Sequence, residues 1–156
     1  MKTVREILLN KGYDIHSVSP NDTIFDALKI MAEKKIGALL VLDKGDIIGI
    51  MSERDYARKV ALEGKSSKDA SVREIMSDKV IYVGIDRLVE ECMALMIEKR
   101  IRHLPVFENG RLTGIISIGD VVKAIIDEKE FVISQLVQYI KSVPSINEET
   151  GKLDTA

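Results

Sequence analysis

The sequence is written twice. Residues Val18 to Val60 align with Val83 to Ile125 without a gap, setting Met31 against Met96, Ile36 against Ile101, Leu39 against Leu104 and Val41 against Val106. Gly45 and Gly110, Gly49 and Gly114, Ser52 and Ser117, and Asp55 and Asp120 continue in the same register. Upstream, "VREIL" from Val4 is answered by "VREIM" from Val72. A gapless match that carries both glycine pairs marks an internal duplication, so the chain must fold as two copies of one small unit. Units of about 60 residues are marginal alone, which predicts two half-modules sharing a core.

Each copy follows one pattern. A β-branched run, Asp14 to Val18 or Lys79 to Val83, predicts a first strand. Ile24, Ala27, Leu28 and Met31, and then Val89, Cys92, Met93 and Met96, have helical spacing, the first set preceded by Thr23 and Asp26 as a capping pair. Two apolar runs follow, divided by Lys44-Gly45 or Asn109-Gly110, the signature of a tight hairpin. Ser52 with Asp55, and Ser117 with Asp120, then start a second helix. The order β-α-β-β-α predicts an α+β fold, two repeats packed sheet to sheet about a pseudo-two-fold axis. Residues 1–65 form the first repeat and 66–127 the second, with the polar stretch Glu63 to Ser71 between them. Residues 128–143, containing "EFVISQLVQYI", predict a C-terminal helix, either a continuation of the last one or a separate one that packs on a partner; 144–156 predict a disordered tail.

Composition narrows the function. With 23 Lys and Arg against 25 Asp and Glu, a net charge of −2, the chain lacks the basic field that nucleic acid requires. The one cysteine, Cys92, falls on the apolar face of a helix and suits a reducing cytoplasm. No apolar run is long enough for a membrane span, and the first ten residues have no signal-peptide core, so a soluble cytoplasmic protein is expected.

The twice-written motif, "GIMSERD" from Gly49 and "GIISIGD" from Gly114, carries the chemistry. Its plainest reading is a capping box. A glycine inside each strand, three residues before the serine, adds that something approaches the backbone there, which suggests a ligand. A helix start and a serine hydroxyl offer donors to phosphate, and a carboxylate one turn on can accept from a ribose diol. Beside an apolar strand, that describes a nucleoside phosphate site. Neither His16 nor His103 has metal-ligand spacing, no phosphate-binding glycine loop is present, and Ser52 and Ser117 have no base nearby in sequence. No catalytic residue, metal or catalytic cofactor is therefore assigned.

From about Val4 to Ile126 the chain resembles a tandem pair of CBS domains, the regulatory modules of cystathionine β-synthase, IMP dehydrogenase and AMP-activated protein kinase. Both motifs match the family's glycine, serine or threonine, and aspartate pattern in full, and "IRHLPV", Ile101 to Val106, is similar to its usual second strand. The resemblance implies ribose contacts from Asp55 and Asp120, phosphate contacts from Ser52 and Ser117, and adenine held by Ile15, His16, Val80, Ile81 and Tyr82, with Pro105 also lining the ligand. It implies AMP foremost as ligand, with ADP, ATP or NAD as alternatives, a homodimer, and a regulated partner protein. The copies differ where Arg54 faces Gly119 and where Gly37-Ala38 faces Arg102-His103, which predicts two non-equivalent pockets with Arg54, Arg102 and His103 as further ligand contacts. A ligand-free scaffold and a nucleotide-hydrolysing enzyme remain the alternatives to a sensor.

Overall fold

The computed structural model describes residues 1–144. Helix α1 (Val4–Lys11) leads into strand β1 (Ser17–Val18), helix α2 (Ile24–Lys34), strands β2 (Ala38–Asp43) and β3 (Asp46–Ser52), and the short helix α3 (Glu53–Tyr56), which runs into a π-helical stretch at Ala57–Ala61. A 3-10 turn at Val72–Glu74 opens the second copy: β4 (Val83–Gly84), α4 (Val89–Lys99), β5 (His103–Glu108), β6 (Arg111–Ser117) and α5 (Ile118–Ser142).

Local chemistry explains the repeated elements. The Thr23 hydroxyl accepts the Asp26 N–H at 3.1 Å to start α2, and Ile24, Ala27 and Met31 turn inward. Val89, Cys92 and Met96 do the same in α4. Both helices end on a basic residue in the left-handed region, Lys35 and Arg100, each with φ of 54°. The hairpins turn on Lys44 (φ 50°) with Gly45 (φ 86°), and on Asn109 (φ 50°) with Gly110 (φ 75°), as the sequence predicts. Each copy forms a three-stranded sheet, β1-β2-β3 and β4-β5-β6, with the first pair parallel and the second antiparallel.

The first strands are shorter than expected. Only Ser17–Val18 and Val83–Gly84 enter the ladder, although the sequence reading ran them from Asp14 and Lys79. The parallel register sets Ser17 beside Leu40 and Val83 beside Val106, and the residues before them are connecting chain.

The expectation of one shared core gives way to two, each completed by a segment from the other half. Val4, Ile7 and Leu8 of α1 join Val83, Val89, Cys92, Leu104 and Ile116 of the second copy. The Val4 N–H donates to the Arg87 carbonyl at 2.9 Å and the Arg5 N–H to the Ile85 carbonyl at 2.8 Å. In return, Val72 and Ile75 join Val18, Ile24, Met31, Leu39 and Met51 of the first copy, and the Val72 N–H donates to the Asp22 carbonyl at 2.9 Å. A three-stranded sheet with one principal helix cannot close its own core, and the crossed segments cover what remains. Val4, Leu8, Val72 and Ile75 are fully buried, each contributing about 1.5–3 kcal/mol.

This exchange also accounts for the motif glycines. A Cβ on Gly49 would stand 2.7 Å from the Met76 sulfur and 2.9 Å from the Ser77 carbonyl oxygen, and one on Gly114 would stand 2.8 Å from Leu8 Cδ2. Leu8 and Met76 are the fifth residues of "VREIL" and "VREIM". What approaches those strands is therefore the protein's own crossed segment, which corrects the sequence reading of a ligand at that point.

Helix α5 runs unbroken for 25 residues, with Val121 and Ala124 buried, so the segment from 128 continues the last helix of the second copy. The tail expected from Pro144 falls, from residue 145 on, outside the described residues. Among the described residues no helix is long and apolar enough to cross a membrane. Cys92 is buried, and burial pushes its thiol up to about 11.

Candidate functional site

Ser52 closes β3 and caps α3. Its hydroxyl accepts the Asp55 N–H at 3.2 Å, while Asp55 Oδ2 accepts the Ser52 N–H at 2.9 Å and its hydroxyl at 3.0 Å. The capping box is thus complete, yet it uses one carboxylate oxygen. The other, Oδ1, lies 3.4 Å from the Lys59 ammonium, which leaves it room to accept further donors.

Asp55 faces a cavity of about 320 Å³ walled by both repeats. The first repeat supplies Ser52, Arg54 and Asp55, and the second supplies Val80, Ile81, Arg102, His103 and Pro105, all eight being residues the sequence reading singled out. Ile50 adds to the apolar wall made by Val80, Ile81 and Pro105. Ile15 and His16 lie outside this cavity, as does Tyr82, whose exposed ring packs on Phe107 with centroids 4.9 Å apart.

Three cations were missed in sequence. Arg58, Lys79 and Arg100 join Arg54 and Arg102 around the cavity, against the carboxylates of Glu53 and Asp55. Arg58 follows Arg54 by one helical turn, a spacing that puts both on one face and could have disclosed it. Arg100 ends α4 in the left-handed conformation, and its carbonyl receives Arg54 Nη1 at 3.3 Å.

Backbone hydrogen bonds tie each motif to the strand beside it. The Glu53 N–H donates to the Gly37 carbonyl at 3.0 Å, and the Ile118 N–H to the Arg102 carbonyl at 2.8 Å. Arg102 therefore anchors the second motif through its main chain while its side chain lines the cavity of the first. His103 sits beside it. Burial, reinforced by the cationic fields of Lys11 and Arg102 and opposed by Asp120, pushes its imidazole down to about 4, so it is neutral at physiological pH.

The second motif has the same box and different surroundings. Asp120 Oδ2 accepts the Ser117 N–H at 2.7 Å, and the Ser117 hydroxyl accepts the Asp120 N–H at 3.2 Å. The Lys11 ammonium adds a 2.6 Å bond to Asp120 Oδ2 and a 2.9 Å bond to the Ile115 carbonyl. In the first repeat the equivalent carbonyl, Ile50, receives the Ser77 N–H at 2.9 Å instead. Burial pushes the Asp120 carboxyl up, but the bonds from Lys11 and Ser117 outweigh it and hold the group below the usual carboxylate range. Asp120 lines a separate cavity of about 500 Å³ together with Lys2, Glu6, Lys11 and Lys123. Among the described residues no group of three His, Cys, Asp or Glu side chains is placed to hold a metal ion.

Comparison with known proteins agrees with this architecture. The sequence model of the CBS domain matches residues 4–62 and 72–127. The chain is 36% identical over 148 residues to the Arabidopsis thaliana protein named CBS domain-containing protein CBSX3, mitochondrial, covering 89% of this chain and 72% of that one. A putative signal-transduction protein with CBS domains from Burkholderia ambifaria MC40-6 has a solved structure that superposes with a TM-score of 0.78 at 55% identity, over 81% of this chain and 95% of that one. The CBS domain pair of protein MJ0100, solved in complex with 5′-methylthioadenosine and S-adenosyl-L-methionine, shares the fold with a TM-score of 0.68 at 24% identity, over 82% of this chain and 98% of that one. With two successive matches and two matching folded copies, the chain belongs to the CBS-domain family as a tandem pair.

Proposed function

We propose that the cavity between the repeats binds an adenosine phosphate and that the chain is a regulatory module, acting as a homodimer, that passes its occupancy to a partner protein. One observation carries this reading: a carboxylate oxygen outside the capping box, five cations and an apolar wall converge on a single cavity from both repeats. Its volume falls in the range of about 300–1,000 Å³ usual for small-molecule sites. Asp55 Oδ1 would accept from the ribose diol, the arginines would meet phosphate, with the Ser52 hydroxyl turning from Asp55 to join them, and Val80, Ile81 and Pro105 would flank the base. Five cations against two carboxylates favour ADP or ATP over AMP, and disfavour a cationic adenosyl compound such as S-adenosylmethionine.

A ligand held by Asp55 on one side and by Arg102 on the other favours one relative setting of the repeats, by as much as its affinity differs between settings. Regulation is favoured over catalysis because the Asp55 carboxylate, the one acceptor at the Ser52 hydroxyl, is committed to the helix cap through the Ser52 N–H. A reducing cytoplasm suits the unpaired Cys92.

A thermal-shift series with ATP, ADP, AMP and S-adenosylmethionine tests the reading. A site-binding ligand at ~100 Kd adds roughly 2.7 kcal/mol, a shift of about 5–10 °C for a chain of this size. ATP or ADP is expected to give the largest shift, lost in Asp55→Asn. If no adenosine ligand shifts the wild-type midpoint, the motif is a pair of helix caps and the reading fails.

A further inference from the structure

One lysine stands where the repeat calls for a core residue. In the internal alignment Lys59 falls opposite Ala124, which is buried in the second core. An unpaired lysine cannot take that seat. The first repeat seats the next residue instead, Val60, and its helix widens to do so. Through Ala57–Ala61 the winding is π, with the Leu62 N–H donating to the Ala57 carbonyl at 3.3 Å and the Lys65 N–H to the Val60 carbonyl at 3.0 Å. Helix α5 passes the equivalent positions as a regular α-helix.

Turned off the core, the Lys59 ammonium meets two acceptors at once. It donates to the Ile75 carbonyl at 2.9 Å and stands 3.4 Å from Asp55 Oδ1. Asp55 faces the cavity between the repeats, while Ile75 is the fully buried anchor of the crossed segment, whose continuation through Ser77, Val80 and Ile81 lines that same cavity. Lys59 itself lies outside the wall and joins the two sides from behind. Asp55 Oδ2 is already fixed by the Ser52 N–H at 2.9 Å. With a neighbour at each oxygen, the carboxylate plane is set before any ligand arrives, which spares the entropy of ordering it on binding. At 3.4 Å the ammonium still leaves Oδ1 room to accept a hydroxyl.

Stability does not account for the arrangement. The Lys59 side chain is 42% exposed, and an ion pair so open to water adds little to a fold. The second repeat closes its core at the equivalent place with alanine alone. Nor does the second motif share the device: Lys11 bonds Asp120 Oδ2, the oxygen that the cap already uses. On the nucleotide reading of the cavity, on which this rests, we infer that Lys59 is a positioning residue. It braces Asp55 Oδ1 against the Ile75 carbonyl and so holds the ribose acceptor at a fixed setting from the wall that the crossed segment builds, while touching no ligand itself.

The test is titration calorimetry of the full chain with ADP and with 2′,3′-dideoxy-ADP, which lacks the diol, on the wild type, Lys59→Met and Lys59→Arg. The readout is the ratio of the two affinities, because a general loss of positive field or of structure weakens both ligands alike and cancels. The wild type should prefer ADP by roughly 10-fold or more, as hydrogen bonds to a charged acceptor imply. In Lys59→Met, whose side chain keeps the aliphatic stem beside Val60, the preference should fall to about 3-fold or less. Lys59→Arg keeps the charge and the reach and should retain it. A preference unchanged in Lys59→Met, or lost as fully in Lys59→Arg, overturns the proposal and leaves the nucleotide reading standing. Equal binding of both ligands by the wild type takes Asp55 away from the ribose and overturns it as well. A wild type that binds neither overturns the nucleotide reading, and this inference with it.

Discussion

Lys11 Nζ stands 2.6 Å from the Asp120 carboxylate and 2.9 Å from the Ile115 carbonyl oxygen. Counted from the two "VRE" segments, its counterpart is Lys79, which lines the cavity of the other motif. The cause is a difference in length. The first "VRE" segment continues as a full helix to Lys11, whereas the second stops as a 3-10 turn and lets Ser77 pair with Ile50 through the backbone. The Asp55 carboxylate thus meets a lysine only at 3.4 Å, from Lys59, whereas the Asp120 carboxylate is hydrogen-bonded by Lys11 at 2.6 Å.

Lys11→Met should therefore create nucleotide binding where the wild type has little. Titration calorimetry should find one Asp55-dependent site in the wild type and a second, Asp120-dependent site in the variant. The ion pair is part-exposed, so its loss should cost no more than about 1 kcal/mol of stability. Weaker binding in the variant would mean that Lys11 serves the ligand instead.

Alanine at the two motif glycines should destabilise unequally. Gly49→Ala meets the Ser77 backbone oxygen, which cannot move without breaking the paired Ile50–Ser77 hydrogen bonds, and about 2–3 kcal/mol is expected from urea unfolding. Gly114→Ala meets only the flexible end of Leu8, and about 1 kcal/mol is expected. Shortening Leu8 to Val should recover part of the Gly114→Ala loss and none of the Gly49→Ala loss. Equal costs at the two sites would count against the crossed packing.

Asp55→Asn separates capping from recognition. The amide keeps an acceptor for the Ser52 N–H, so the ligand-free midpoint should fall by less than about 1 kcal/mol equivalent. The nucleotide-induced shift should vanish. A full shift in Asp55→Asn would remove the carboxylate from the binding account.

His103 should make stability fall in mild acid. Its folded pKa of about 4 lies below the ordinary 6.5, so between those values the unfolded chain binds a proton that the folded chain refuses. Its contribution is fully present above pH 6.5 and declines as the pH drops toward 4, by up to about 3 kcal/mol. Urea midpoints measured from pH 7.5 to 4.5 should fall less steeply for His103→Gln than for the wild type. Parallel profiles would show that the imidazole is not shielded.

The parts of the fold that were legible in sequence rest on neighbours along the chain. Thr23 with Asp26, Lys44 with Gly45, Asn109 with Gly110, and the paired motif boxes announce helix starts and turns through chemistry confined to a few residues. Crossing could not be read this way. Nothing near Val4 says that it packs on Val89 rather than on Ile24, and so Gly49 and Gly114 were credited to a ligand when Met76 and Leu8 stand over them. The cavity was half legible for the same reason. Arg54 and Asp55 stand in the motif, whereas Lys79 reaches the site from connecting chain and Arg100 from the end of α4, both in the other repeat.

The crossed segments also set the order in which a ribosome can finish this protein. The first half waits for Val72 and Ile75 to emerge before its core closes, and α1, synthesised ahead of both sheets, has no seat until β6 exists about 100 residues later. Val4, Ile7 and Leu8 lack their folded partners throughout that interval, so translation speed through the second repeat governs how long the nascent chain presents this apolar segment to chaperones.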